Sequence, residues 1–293
     1  MGTVRIGISG WTYEGWRGEF YPEGLRQKDE LRYAAERMDT IEINGSFYSL
    51  QSPDSYQRWR DETPRDFRFS VKGSRYITHM KRLGDAEPAL AKFFASGILL
   101  LREKLGPVLW QLPANFTFEE ARLDRFFEAL PPDTESAAAL ARSAELTPSR
   151  RHDETDRNRR LRHVIEVRNE SFFVPAFVRL LRRHNVGLVI SDSPEWPLRE
   201  ELTAGLVYIR LHGARNLYES RYTDAELDHW AERATAWREG RDVGDAERIT
   251  ERTPPPRKGR DVWIYFDNDA KVHAPRDALR LKDRVADRSS SAD

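Results

Sequence analysis

The chain has 293 residues, with 48 Lys and Arg against 48 Asp and Glu, a net charge of zero, and no cysteine. The missing cysteine excludes disulfides, thiolate nucleophiles and cysteine-held metals. The charge balance argues against a dedicated nucleic-acid binder, which carries a basic excess, but leaves room for a local basic patch.

Eight short apolar runs bounded by Gly, Pro, Asn or Asp read as buried strands, with helical patterns between most of them. Val4 to Trp11 opens the series. A helix over Leu31 to Met38 groups Leu31, Ala34, Ala35 and Met38 and leads to the second strand, Thr40 to Asn44. The third strand, Phe67 to Lys72, precedes a helix over Pro88 to Glu103, and the fourth, Pro107 to Leu112, precedes one over Glu119 to Leu130. After the fifth strand, His163 to Arg168, a helix over Phe173 to His184 groups Phe177, Leu180 and Leu181. Val186 to Asp192 and Leu206 to Gly213 are the sixth and seventh strands. A helix over Thr223 to Arg238, with Thr223 as N-cap, leads towards the eighth, Val262 to Asp267.

Eight such units argue for an α/β fold, a single (β/α)8 barrel of the TIM type, for which roughly 250 residues suffice. One domain over 1–284 is expected. Charged insertions precede strand five (about Asp133 to Arg160) and strand eight (about Glu239 to Arg260), and both read as flexible. The polar end, 285–293, reads as a disordered tail. The longest apolar run, Gly97 to Leu101, is far too short to cross a bilayer. The opening residues lack the apolar region of a signal peptide, so a soluble cytoplasmic protein is expected.

Successive side chains on a strand point to opposite faces. In strand seven Val207, Ile209 and Leu211 share the apolar, helix-facing parity, which turns Tyr208, Arg210 and His212 inward. The same alternation turns Glu42 and Asn44 inward on strand two, Arg68, Ser70 and Lys72 on strand three, Glu166 and Arg168 on strand five, and Trp263, Tyr265 and Asp267 on strand eight. Gln111 on strand four and Ser9 and Trp11 on strand one fit the scheme. Strand six is apolar on both faces until Ser191 and Asp192. Charges inside a barrel are costly unless paired or hydrated. Here they gather towards the carboxyl ends of the strands, where barrel enzymes keep their active sites.

These residues stand in motifs that run in order along the chain: Gly7-Ile8-Ser9-Gly10-Trp11 with Tyr13 and Trp16; Tyr21-Pro22; Glu42-Ile43-Asn44 with Phe47-Tyr48; Trp59 and Thr63-Pro64; Lys72; Thr78-His79; Gln111-Leu112-Pro113; Glu166-Val167-Arg168; Asp192; Tyr208 to Gly213; and Tyr265 to Asp269. The series resembles the YecE-like family, domain of unknown function 72, from about Gly7 to Ala274. That resemblance implies a TIM barrel and no settled activity. A relation of the family to barrels of the endonuclease IV type, with DNA binding, is an analogy between folds. The chain departs from the family pattern at Phe266-Asp267-Asn268-Asp269, where Phe-Asn-Asn-Asp is usual, which argues against an essential carboxylate at Asp267. It departs again at Asn169 and Phe172, where His and Trp are frequent.

The candidate acids and bases are Glu166, Glu42 and Asp192, with His212 as a proton shuttle; paired carboxylates across a barrel mouth serve glycoside hydrolysis. Lys72, Arg168 and Arg210 suit a phosphate or carboxylate. Trp11, Tyr13, Asn44, Tyr48, His79, Gln111, Tyr208, Asp267 and Asn268 complete the candidate binding set. Each charged residue also admits a structural reading as one half of an internal ion pair, and each aromatic a reading as packing. Only His212 and His163 lie on strands, so a multinuclear metal site is not expected. No phosphate loop or dinucleotide fingerprint implies a cofactor. The leading expectation is a hydrolase-like enzyme acting on a small polar or anionic ligand, such as a sugar or phosphorylated metabolite. The competing readings are a nucleic-acid-binding or repair-associated barrel, whose affinity would fall steeply with salt, and a non-catalytic ligand binder. No membrane and no partner protein is implied.

Overall fold

Eight parallel strands close into a barrel in chain order. They are β1 Val4–Ser9, β2 Thr40–Ile43, β3 Arg68–Lys72, β4 Leu105–Gln111, β5 His163–Glu166, β6 Gly187–Asp192, β7 Leu206–Leu211 and β8 Asp261–Phe266. The helices are α1 Glu30–Ala35, α2 Gly45–Tyr48, α3 Pro53–Asp61, α4 Ala86–Ala95, α5 Glu120–Ala129, α6 Thr134–Ala141, α7 Pro175–His184, α8 Asp224–Arg238 and α9 His273–Ser290. This computed structural model describes residues 1–213 and 215–290, the side chains of 289 and 290 excepted. Among the described residues no helix is long and apolar enough to cross a membrane.

By internal contacts the chain groups into two compact units, Met1–Ile41 with Phe173–Asp293, and Glu42–Phe172. In the first, β7 pairs with β6 and β8, and β8 with β1, so that Ser191 lies beside Arg210 and Arg210 beside Tyr265. The inner parity is visible directly. The Tyr208 and Tyr265 rings lie 4.9 Å apart, and the Tyr265 hydroxyl is 2.8 Å from Thr40 Oγ1. Ile6, Ile8, Val207, Ile209, Val262 and Ile264 are buried on the other parity. Thr223 caps α8 in a capping box with Glu226, which satisfies two otherwise orphaned backbone donors.

In the second unit β4 pairs with β3 and β5, placing Gln111 beside Glu166. Its core is aromatic, with Phe93, Trp110 and Phe126 in contact at 5.3–5.4 Å. Gly73 is required by packing, because a Cβ there would stand 2.3 Å from the Trp110 ring. His163 is the one strand histidine of this unit. It accepts from Trp110 Nε1 at Nδ1 (3.2 Å), its Nε2 lies 2.9 Å from the Pro131 carbonyl, and burial pushes its pKa down to about 4.

Three expectations need correction. The insertion before β5 is not uniformly irregular: Asp133 caps α6, whose Ala137, Ala138 and Ala141 are buried, and α6 packs on α4. The end of the chain is helical through Ser290 rather than disordered from 285, because Leu281 and Val285 pack inward while Arg284 bonds Asp228; 291–293 lie outside the described residues. Arg68 opens β3 instead of joining its carboxyl end, and its guanidinium donates to the Arg65 and Phe67 carbonyls.

Candidate functional site

The inward charges fall into two clusters, one in each unit. In the first, β7 carries Arg210, His212 follows directly, and Asp267 follows β8. Arg210 Nη2 donates to Asp267 Oδ2 at 2.9 Å, and the same oxygen is 3.0 Å from His212 Nδ1. Arg210 Nη1 is 3.4 Å from His212 Nε2, and Nη2 reaches Ser9 Oγ at 3.5 Å. A guanidinium can only donate, so its approach to Nε2 favours a ring with the lone pair on that nitrogen. The Trp196 and Tyr218 rings box the imidazole edge-on at 5.5 and 5.6 Å. Arg210 and His212 are both fully buried.

Asp192 ends β6 and accepts from the Tyr222 hydroxyl (3.1 Å) and Trp230 Nε1 (3.4 Å). Burial nevertheless holds its carboxyl above the usual range, against the pull of those two donors. Burial, and then the Asp267 charge, pushes the Asp269 carboxyl up to about 6. Tyr222 and Trp230 stand outside every strand pattern and motif, so no sequence signal links them to Asp192. Asn268 is buried, and its Nδ2 donates to the Ser220 carbonyl and to Asp277 Oδ2, which ties the chain after β8 to α9. Tyr208 sits fully in the core against Tyr265. The Tyr13 hydroxyl donates to the Ser9 carbonyl at 2.6 Å and its ring lies 4.4 Å from Trp16, which is itself buried and hydrogen-bonded to the Asp269 carbonyl. Trp11 is half-buried on the same loop.

The second cluster is arranged differently. Glu166 and Glu42 are completely buried, and Arg168 donates Nε to Glu166 Oε1 at 2.6 Å while its side chain stays 15% exposed. Lys72 ends β3 with Nζ 4.5 Å from the centre of the Phe47 ring, and the His79 ring meets the same phenyl edge-on at 5.1 Å. Phe47 is therefore the shared platform of a lysine and a histidine, a role no charge pattern could announce. His79 lies in a π-helical turn, Tyr76–Met80, with Nδ1 2.9 Å from Thr78 Oγ1. Burial first, then the Lys72 and Arg168 charges, depresses its pKa. Asn44 follows β2, half-buried, and its Oδ1 has no hydrogen-bond partner among the described residues. Gln111 is buried at the end of β4, and Tyr48 is exposed beside Arg75.

The structure thus gathers Lys72, His79, Arg168 and Glu166 in one unit and Asp192, Arg210, His212 and Asp267 in the other. In the first set Lys72 is buried, while Arg168 and His79 keep partial contact with solvent and Glu166 is fully enclosed. The second is enclosed: Arg210 pairs with Asp267 beside the buried His212, and Asp192 is held apart by Tyr222 and Trp230.

Comparison with known proteins bears on the family and the fold. The profile described as "Protein of unknown function DUF72" matches residues 5–292. The UPF0759 protein YecE of Escherichia coli (strain K12) is 24% identical over 237 residues, which cover 80% of this chain and 82% of YecE. The UPF0759 protein YunF of Bacillus subtilis is 28% identical over 118 residues, 39% of this chain and 41% of YunF. Among solved structures, a DUF72 family protein of Thermotoga maritima superposes with a TM-score of 0.72 at 23% identity, covering 97% of this chain and 99% of its own. One of Enterococcus faecalis reaches 0.67 at 15% identity, covering 97% and 96%. These likenesses speak for the fold.

Proposed function

This chain belongs to the DUF72 family, whose description assigns no activity, and from its own residues we propose an enzyme that hydrolyses a small substrate carrying a phosphate or carboxylate at the carboxyl ends of β3 and β5. The observation that carries this reading is the convergence of Lys72 and His79 on the Phe47 ring, with the Arg168 charge acting on the same imidazole. Cations that depress the pKa of a histidine also attract an anion, and a depressed pKa keeps the imidazole in the neutral form that can accept a proton.

In this reading Lys72 and Arg168 bind the anionic group and stabilise the charge that develops on it. His79 takes the proton of the attacking water and returns it to the leaving oxygen as the ester bond to that oxygen breaks. Glu166 is fully buried with an oxygen held at 2.6 Å by Arg168, so it serves to orient the guanidinium, and Glu42 remains the alternative acid. Asn44 Oδ1, an acceptor without a partner among the described residues, suits a substrate hydroxyl. The test is a hydrolysis screen over phosphomonoesters, sugar phosphates and carboxylate esters, followed by variants. His79→Ala is expected to lower kcat by roughly a hundredfold or more, and Arg168→Met to raise KM. A hydrolytic activity that survives both substitutions at full rate would remove this site from the reaction.

A further inference from the structure

Outside that site, the second unit carries an open groove of about 960 Å³ between the loop after β3 and the outer faces of α4 and α5. We propose that this groove binds single-stranded nucleic acid, with the phosphates on its cations and a base stacked on the exposed Tyr76 ring.

Its walls present five cations, Lys81, Arg82, Lys92, Arg122 and Arg125, against two carboxylates, Asp85 and Glu87. In a chain of zero net charge this local excess has no compositional cause. Lys81, Lys92 and Arg125 make no ion pair among the described residues, and Lys92 is half-buried on α4. Arg82 and Arg122 both contact the Phe116 ring, at 4.9 and 5.9 Å from its centre. Glu119 at 2.9 Å offsets only Arg122, whereas Arg82 is held by neutral acceptors, Asn115 Oδ1 and carbonyl. Like charges gathered in this way favour a ligand with several negative charges in a row.

The second observation concerns apolar surface. The large hydrophobic residues left exposed among those described are Met1, Tyr48, Tyr76 and Met80. Tyr76 lines the groove itself, Met80 directly precedes its Lys81, and Tyr48 stands under Arg75, the neighbour of Tyr76 in the chain. Flat rings interleaved with cations are what an unpaired strand uses, since every base offers a face for stacking while the backbone follows the positive charge. An acidic protein segment would use the cations and leave the rings idle.

The experiment is fluorescence anisotropy of the full chain with a labelled oligothymidylate over a salt series. A single strand releases counter-ions with a slope of about −0.7 in log K against log salt per phosphate engaged, so three unpaired cations give roughly −2. The double variant Lys81→Glu, Arg125→Glu, both at exposed positions, is expected to weaken binding by roughly tenfold or more and to flatten the slope by about 1.4. Tyr76→Ala is expected to weaken it by roughly five- to a hundredfold. Unchanged melting temperatures confirm that the variants fold. Absence of binding at the lowest salt overturns the proposal, as does a slope that ignores the charge reversals. Poly-glutamate competing as well as the oligonucleotide, with Tyr76→Ala silent, overturns it in favour of an acidic protein segment. These variants leave Lys72, His79 and Arg168 intact, so hydrolysis and strand binding stand or fall separately.

Discussion

Arg210, His212 and Asp267 in one unit and Lys72, His79 and Arg168 in the other are built from nearly the same residue types, and they differ in what the histidine meets. His212 is fully buried, with a carboxylate at one ring nitrogen and a guanidinium at the other, between two aromatic edges. His79 is half-buried on a phenyl ring, under the influence of cations. Pairing neutralises charge and stiffens the first cluster. In the second cluster Arg168 is held by Glu166, and the half-buried imidazole feels the Lys72 and Arg168 charges without a carboxylate of its own among the causes of its shift. Burial and partner geometry, rather than residue identity, separate a lock from a site.

Breaking the lock should have the largest effect. Arg210→Met removes the guanidinium and leaves Asp267 without its 2.9 Å partner inside the protein. Removing one member of a buried pair typically costs about 3–5 kcal/mol. Denaturant unfolding should show a loss of that order, whereas the exposed Arg276 to Glu19 pair should contribute less than about 1 kcal/mol. Asp267→Asn is the milder change, because an amide oxygen still accepts from Arg210. That conclusion agrees with the Asn usual here in the family pattern: the acceptor matters more than the charge. A loss from Arg210→Met no larger than that from the surface pair would show the cluster to be solvated rather than locked.

His163 supplies the limiting case of a histidine with neither anion nor cation beside it. Its folded pKa is pushed down to about 4 by burial, while the unfolded chain titrates near about 6.5. Above that value the residue is neutral in both states and its packing contributes in full. Between 6.5 and 4 only the unfolded chain takes up the proton, so stability falls as pH falls. The loss through this residue should approach roughly 3 kcal/mol at the lower end. Unfolding free energies measured across that range should decline more steeply in the parent than in His163→Asn. Equal slopes would mean that the imidazole is accessible to protons in the folded chain.

The barrel was legible because alternation on β2, β3, β5, β7 and β8 is strict, and the observed Tyr208–Tyr265 and Thr40–Tyr265 contacts follow from that parity. Helices such as α7 and α8 were equally open to reading, from apolar spacing and the Thr223 cap. The last helix was hidden because its apolar residues are sparse: Ala278, Leu281 and Val285 carry its buried face amid charge. Glu166 and Arg168 were visible as inward charges, yet their mutual hydrogen bond, which turns an acid into a support, depends on rotamers that no pattern encodes. Parity also could not say at which end of a strand a charge sits, which is how Arg68 came to be grouped with Lys72. The groove beside α4 and α5 is formed by the loop after β3 and two helices that no motif groups together, so no pattern pointed to its cations.

The finest test of the contrast is the titration of His79 itself. Its pKa is lowered first by burial, next by Lys72 and then by Arg168. Lys72→Met removes the larger of the two charge effects and keeps most of the side chain's volume, so the pKa should rise towards about 6.5. Arg168→Met should raise it by less. In neither variant should it reach the free value, because burial persists. The imidazole resonance of His79, followed by NMR against pH in the three proteins, reads all of this directly. A rise in the order Lys72→Met, then Arg168→Met, places both cations on the imidazole and supports their sharing one anion. If Lys72→Met leaves the titration where it was, the lysine charge does not act at His79 and the two cannot serve one substrate.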